Sequence, residues 1–312
     1  MLSLADIEAA AGLVHASMPP TPQYAWPLLA ARTGCEVWVK HENHTPTGAF
    51  KVRGGLVFCS RLPAGSRGLI SATRGNHGQS LAYAGRRHGI AVTILVPYGN
   101  STEKNAAMRA FGAELIEHGR DFDEAKDEAY RLAKERKLAI VPPFDDNLVA
   151  GVSTYALEFL RVVPDLETIY VPIGMGSGIC GVIAARDALG LRTKVVGVQS
   201  EGAPSYALSF AAGRVVTTEN ATTMADGMAT RVPDARALEI IRRGAERIVT
   251  VSDAEVVEAI RAFYTDTHNL AEGAGAAPLA ALVKDGATMR GRRVGLILSG
   301  GNIDLALFKR LV

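Results

Sequence analysis

A chain of 312 residues suits one large α/β unit or two linked domains, and 48% hydrophobic content is ample for a sizeable core. The formal charge of +2 comes from interspersed acids and bases with no basic block, which argues against nucleic acid as a partner. Three cysteines, Cys35, Cys59 and Cys180, show no CxxC spacing and read as reduced, buried thiols of an intracellular protein rather than metal ligands or a disulfide framework.

From the N-terminus, MLSLADIEAAAGLVHAS carries Asp6 and Glu8 without a basic flank, so an amphipathic helix is expected rather than a signal peptide. No uncharged apolar stretch reaches the roughly 18 residues that span a bilayer. No membrane partner is therefore expected, and the cytoplasm is the default location. Short apolar runs then alternate with helical patterns. Strands are expected at Glu36–Lys40, Gly68–Ser71, Ala91–Val96, Ala113–Glu117, Thr168–Ile173, Lys194–Gln199, Arg247–Val251 and Arg293–Leu298. Helices are expected at Asn76–His88, Ser101–Phe111, Asp121–Lys137, Leu148–Val162 and Asp253–Thr267. This alternation implies βαβ crossovers and largely parallel sheet, with ligands bound outside the carboxyl ends of strands. A boundary near Pro142-Pro143 suggests a smaller α/β domain, residues 46–150, inserted into a larger one built from 1–45 and 151–312.

Four segments could carry chemistry. TPTGAFKVRGG sets Lys51 between Phe50 and Val52-Arg53 among glycines, either as a solvated turn residue or as an amine whose desolvation makes it nucleophilic. SATRGNHGQ places Gly75-Asn76-His77 where a strand turns into a helix. Amides there bind anions and Thr73 adds a hydroxyl, although Asn76 alone would also serve as a helix cap. VPIGMGSGICG offers Gly174, Gly176 and Gly178 for amides that wrap a phosphate, with Ser177 as a further donor. It also matches the dinucleotide pattern GxGxxG. However, Gln199 ends the next strand where a ribose-binding acid is expected, and Glu201 just beyond keeps a nicotinamide oxidoreductase reading only weakly alive. LSGGN puts Ser299 at the carboxyl end of the last strand.

TGAFKVRGG, GNHGQ, GMGSG and SGGN, in this order and at these separations, resemble the fold-type II pyridoxal-phosphate enzymes, within them the serine/threonine dehydratase and serine racemase group. The resemblance runs from Thr21-Pro22 to Asn302. It implies a two-domain, tryptophan-synthase-β-like α/β architecture with the active site between the domains, pyridoxal 5'-phosphate as cofactor, and a homodimer. It further implies that Lys51 carries the cofactor as a Schiff base and moves the substrate α-proton. Phe50 would back the ring, Asn76 would bind its 3-hydroxyl, and Gly174, Met175, Gly176 and Ser177 would hold the phosphate. Ser299 would face the ring nitrogen, and Gly227 would lie against the cofactor. Thr73, Arg74, Asn76 and His77 would line the substrate-carboxylate pocket. The implied reaction converts a β-hydroxy amino acid such as L-threonine or L-serine to a 2-oxo acid and ammonia, with the cofactor phosphate as the acid for the departing hydroxyl.

Departures from the family pattern refine this reading. Arg74 stands where a racemase can have an acting serine, which discounts serine racemase activity. The arginine either grips a substrate carboxylate or pairs elsewhere. Gln199 and Ser205, with Ala203 between them, stand where family members with a divalent-cation site have carboxylates, so no metal is expected. Gln23-Tyr24-Ala25-Trp26 is unusually aromatic: its rings either pack in the core or line a pocket for a bulkier substrate such as phenylserine, with 3-hydroxyaspartate a further alternative. The chain ends at Val312, shortly after Asn302, so the regulatory domain of biosynthetic threonine dehydratases and its isoleucine feedback are not expected.

Overall fold

In the computed structural model, which describes residues 2–63 and 65–312, all eight apolar runs become strands and two short strands join them. In chain order these are β1 Gln23–Ala25, β2 Glu36–His41, β3 Leu69–Ala72, β4 Val92–Val96, β5 Glu114–Glu117, β6 Ala139–Ile140, β7 Thr168–Pro172, β8 Lys194–Ser200, β9 Arg247–Val251 and β10 Arg293–Leu298. They form two sheets. The larger has the order β1-β2-β10-β7-β8-β9, with β1 antiparallel and the rest parallel. The smaller, β5-β4-β3-β6, is parallel throughout. Its central strands β3 and β4 are buried along their whole length, as expected of parallel strands covered by helices on both faces. Among the described residues, no helix is long and apolar enough to cross a membrane.

Three strand ends converge. β3 runs out into Thr73-Arg74-Gly75 and the helix Asn76–His88, β7 into Ile173-Gly174-Met175-Gly176 and the helix Ser177–Ala188, and β10 into Ser299. The segment before Lys51 is zipped onto the last of these. The Phe50 N–H donates to the Ser299 carbonyl at 2.9 Å, and the Gly301 N–H donates to the Gly48 carbonyl at 2.9 Å. Gly48 has φ +68°, and a side chain there would also strike Asn302.

Lys51 does not sit in a turn. It is the first residue of the helix Lys51–Ser60. The glycines around it serve helix packing: a Cβ on Gly55 would overlap Ser80 of the helix Asn76–His88, and one on Gly54 would stand 3.0 Å from the Leu148 carbonyl of the helix Asp146–Val162. Ser80 Oγ also donates to the Lys51 carbonyl at 2.6 Å. The rings of the Gln23–Trp26 stretch divide between surface and core. Tyr24 is half exposed, and Trp26 packs against the core and donates to His41 Nε2 at 3.0 Å.

Two residues beyond Lys51, Arg53 has no exposed surface. Its guanidinium reaches Glu42 at 2.7 Å, Glu158 at 2.6 Å and Thr154 at 2.9 Å, while Lys40 meets Glu158 at 2.6 Å and the Thr21 carbonyl at 2.7 Å. Burial alone would raise the Glu158 carboxyl, but Arg53 and Lys40 outweigh it and hold the group down to about 2. The network ties β2 and the helix Asp146–Val162 to the helix that begins at Lys51. Replacing Arg53 by methionine leaves Glu42 buried without its cation and strips Glu158 of one partner, Lys40 remaining, and we expect a loss of about 3–5 kcal/mol in urea unfolding. A loss below about 1 kcal/mol would show that the network does not hold this helix.

Candidate active site

The four segments singled out in the sequence meet at the converging strand ends. Lys51 Nζ lies 3.1 Å from Ser177 Oγ and 5.0 Å from the centre of the Phe50 ring. Burial pushes the Lys51 ammonium down to about 8, with the Glu272 carboxylate pulling the other way. Phe50 packs edge-on against Tyr155 at 5.9 Å, and its ring lies 3.5 Å from where a Cβ on Gly178 would stand.

The glycine loop after β7 is built for close backbone approach. Gly176 has φ +98°, and a Cβ there would stand 2.8 Å from that of Ala237. A Cβ on Gly174 would overlap the carbonyl of Gly227, so the two glycines lie backbone to backbone. Buried tyrosines brace the loop: Tyr206 donates to the Met175 carbonyl at 2.9 Å, and Tyr155 to the Gly178 carbonyl at 3.1 Å. The helix that follows has no side-chain cap, leaving its first amides and Ser177 Oγ as donors at its positive end.

Asn76 holds the far side. Its Nδ2 donates to Glu272 Oε1 at 2.7 Å, and its Oδ1 accepts from Asn302 Nδ2 at 2.8 Å. Ser299 is buried at the end of β10. A cavity of about 340 Å³ is lined by Arg74, Lys104, Asp226, Glu272 and Asn302, with Tyr98 at its rim. Of the residues singled out in the sequence, Arg74 lines it, whereas Lys51, Thr73, Asn76, His77, the Gly174–Ser177 loop and Ser299 do not. Thr73 Oγ1 accepts from the Gly75 N–H at 3.1 Å, and His77 bonds the backbone of Val141 while its Nε2 has no partner. Burial, and then the Lys51 charge, push the His77 imidazole down to about 3 and keep it neutral. Gln199 and Ser205 are spent on backbone partners, the Ala207 N–H and the Thr230 carbonyl.

Sequence reasoning missed Glu272, Lys104 and Asp226. Burial pushes the Glu272 carboxyl up to about 7, partly countered by Lys104. Lys104 pairs with Asp226 and packs against Gly75, so it closes the cavity from the side of the smaller sheet. Nothing local marks any of the three. They acquire a role only when segments far apart in the chain meet.

The donor set fits pyridoxal phosphate: a poised amine, a glycine cradle that any Cβ would fill, free helix-N-terminal amides, and an asparagine with an amide N–H to spare. Comparison with known proteins agrees. Residues 16–300 match the family model described as pyridoxal-phosphate dependent enzyme. The chain is 34% identical over 315 residues to the L-threonine ammonia-lyase of Thermotoga maritima, covering 100% of this chain and 78% of that one. It is 33% identical over 310 residues to the L-threo-3-hydroxyaspartate ammonia-lyase of a Pseudomonas species, covering 98% and 97%. Its fold superposes with a TM-score of 0.91 on threonine deaminase isoform 2 from Solanum lycopersicum, at 28% identity over 100% of this chain and 94% of that one.

The neutral amine is the nucleophile, so capture of added pyridoxal phosphate by the apo-protein should rise with pH through about 8 and then level off. Stopped-flow absorbance checks this, and a midpoint near the ordinary lysine value of 10.5 would contradict the desolvated amine.

Proposed function

Because this chain belongs to the pyridoxal-phosphate dependent enzyme family, we propose that it is an ammonia-lyase converting a β-hydroxy amino acid, L-threonine or L-serine, to a 2-oxo acid and ammonia. The observation that carries this reading is Lys51 Nζ, 3.1 Å from Ser177 Oγ at the end of the glycine loop, with burial lowering its ammonium to about 8. Its relatives named for threonine and 3-hydroxyaspartate support the same chemistry.

Pyridoxal phosphate, when bound, supplies the electron sink that makes the α-proton of an amino acid acidic. Lys51 would hold it covalently and take that proton. The amides of Gly174 to Ser177 and the Ser177 hydroxyl would hold its phosphate. Asn76 would donate to the ring oxygen, and Ser299 would present a neutral hydroxyl to the ring nitrogen, which leaves that nitrogen unprotonated. Phe50 and Gly227 would bound the ring, with Thr73, Arg74, Asn76 and His77 around the substrate carboxylate. Overall, threonine loses its hydroxyl as water, and hydrolysis returns the water and releases ammonia. The nicotinamide reading leaves Lys51, Asn76 and Ser299 without work. The glycines that suggested it form the proposed phosphate cradle.

We also take the enzyme to be a cytoplasmic homodimer, as the family resemblance implies. We divide it into residues 1–45 with 151–312 and residues 46–150, on the strength of the two sheets.

One observation favours a second substrate. Arg74 is exposed, lines the cavity beside Lys104, and has no ion-pair partner among the described residues. A free guanidinium suits a second carboxylate, as in 3-hydroxyaspartate. Assaying ammonia release across threonine, serine, phenylserine and 3-hydroxyaspartate tests both readings. Lys51→Ala should lose at least about 10²–10⁴-fold on every substrate. If Arg74 reads a second carboxylate, Arg74→Ala should lower kcat/KM for 3-hydroxyaspartate by about tenfold or more and spare threonine. No ammonia from any of the four would overturn the main reading, and an unchanged ranking in Arg74→Ala would overturn the second.

A further inference from the structure

Glu272 stands before the helix Gly273–Asp285, yet its side chain makes no capping bond to that helix. It points across the cleft instead. It is 3% exposed, its Oε1 accepts from Asn76, and its Oε2 is buried without a partner. The chain is bare where this carboxyl lies: a Cβ on Gly300 would stand 2.7 Å from Oε1, and one on Gly227 at 3.9 Å. An acid kept in a buried position, without capping its own helix and with glycines making room for it, has a use at the place it points to.

The contacts of Asn76 show what that use is. Asn302 Nδ2 donates both to the Thr47 carbonyl and to Asn76 Oδ1, each at 2.8 Å. Asn76 Oδ1 therefore faces Asn302, and Nδ2 faces Glu272. With both amide ends assigned, one N–H of Asn76 is spent on Glu272 and one remains to be offered.

We propose that Glu272 is a positioning residue for the cofactor, locking the Asn76 amide toward the ring oxygen and setting a carboxylate charge opposite the Lys51 nitrogen. This rests on the reading that pyridoxal phosphate binds at Lys51. The charged groups facing Glu272 are Lys51 from the helix Lys51–Ser60, Lys104 from the helix Thr102–Ala110, and Asp226 from the turn Asp226–Met228. Lys104 is engaged by Asp226, so its charge offsets Glu272 without bonding it. The ionised carboxylate favours a positive charge at the Lys51 nitrogen, and its loss disfavours one.

The test uses holoenzyme and needs no turnover: a spectrophotometric pH titration of bound pyridoxal phosphate, together with its dissociation constant, in wild type, Glu272→Gln and Glu272→Ala. The glutamine oxygen still accepts from Asn76, so Glu272→Gln should bind the cofactor within about threefold of wild type while its titration midpoint falls by about one pH unit. Glu272→Ala should show the same fall and bind about tenfold more weakly. A merely structural glutamate would weaken binding in the alanine variant and leave the midpoint of the glutamine variant unmoved. That result overturns the proposal. Should the alanine variant fail to fold, the glutamine variant alone decides. A wild type with no cofactor band at all would strike at the cofactor reading itself, a different failure from an unshifted midpoint.

Discussion

A fully buried guanidinium must be met by carboxylates, and in this chain that requirement falls two residues after the reactive lysine. Arg53 binds Glu42 and Glu158, and Lys40 shares the second carboxylate. A buried ion network of this kind contributes little net stability against an apolar alternative, but parting its members is costly, because each would be left a buried charge without its partner. Here the members come from the strand β2, the turn Glu42–His44 that follows it, the helix Lys51–Ser60 and the helix Asp146–Val162. The first turn of the lysine helix therefore has one place to be, and its amine points at Ser177.

Close packing of glycine against backbone carries that placement outward. Gly151 approaches Arg53 and Gly54, Gly55 approaches Ser80, and Gly174 approaches Gly227, with no room for a Cβ at Gly55, Gly151 or Gly174. The approaches of Gly55 and Gly151 bring the helices behind Lys51 together, and that of Gly174 sets the cradle floor. The carboxyl ends of β3, β7 and β10 supply the rest, as parallel sheets do when connections diverge from neighbouring strands. Electrostatics follows from burial. Desolvation lowers the ammonium of Lys51 to about 8 and raises the acid of Glu272 to about 7, so the two groups titrate close together.

Much of this was readable from the chain alone, for reasons that differ by element. The strands Arg247–Val251 and Arg293–Leu298 and the helices Asn76–His88 and Asp253–Thr267 end where expected, because their apolar period stops at clear turn or cap residues. The helix at Lys51 was hidden. Gly54 and Gly55 argue locally for a turn, and only contact with Ser80 and Leu148 reveals them as helix-packing residues. The helix Gly273–Asp285, rich in glycine and alanine with Pro278 inside it, carries weak local preference and is held by the core. Asn76, Ser177 and Ser299 were legible because each sits where a strand ends or a helix begins, and Lys51 because an amine among glycines beside an aromatic ring is unusual. Glu272 was not, since its meaning lies in a bond to a residue 196 positions earlier.

Burial and backbone packing single out one lysine. Lys40 and Lys104 are also buried, but each is hydrogen-bonded to a carboxylate, whereas the side-chain hydrogen bond of Lys51 goes to a hydroxyl. Borohydride reduction of the enzyme with pyridoxal phosphate, followed by peptide mass mapping, distinguishes the three directly. A single pyridoxyl adduct, on Lys51, is expected. An adduct on Lys40 or Lys104, or none on Lys51, would contradict it.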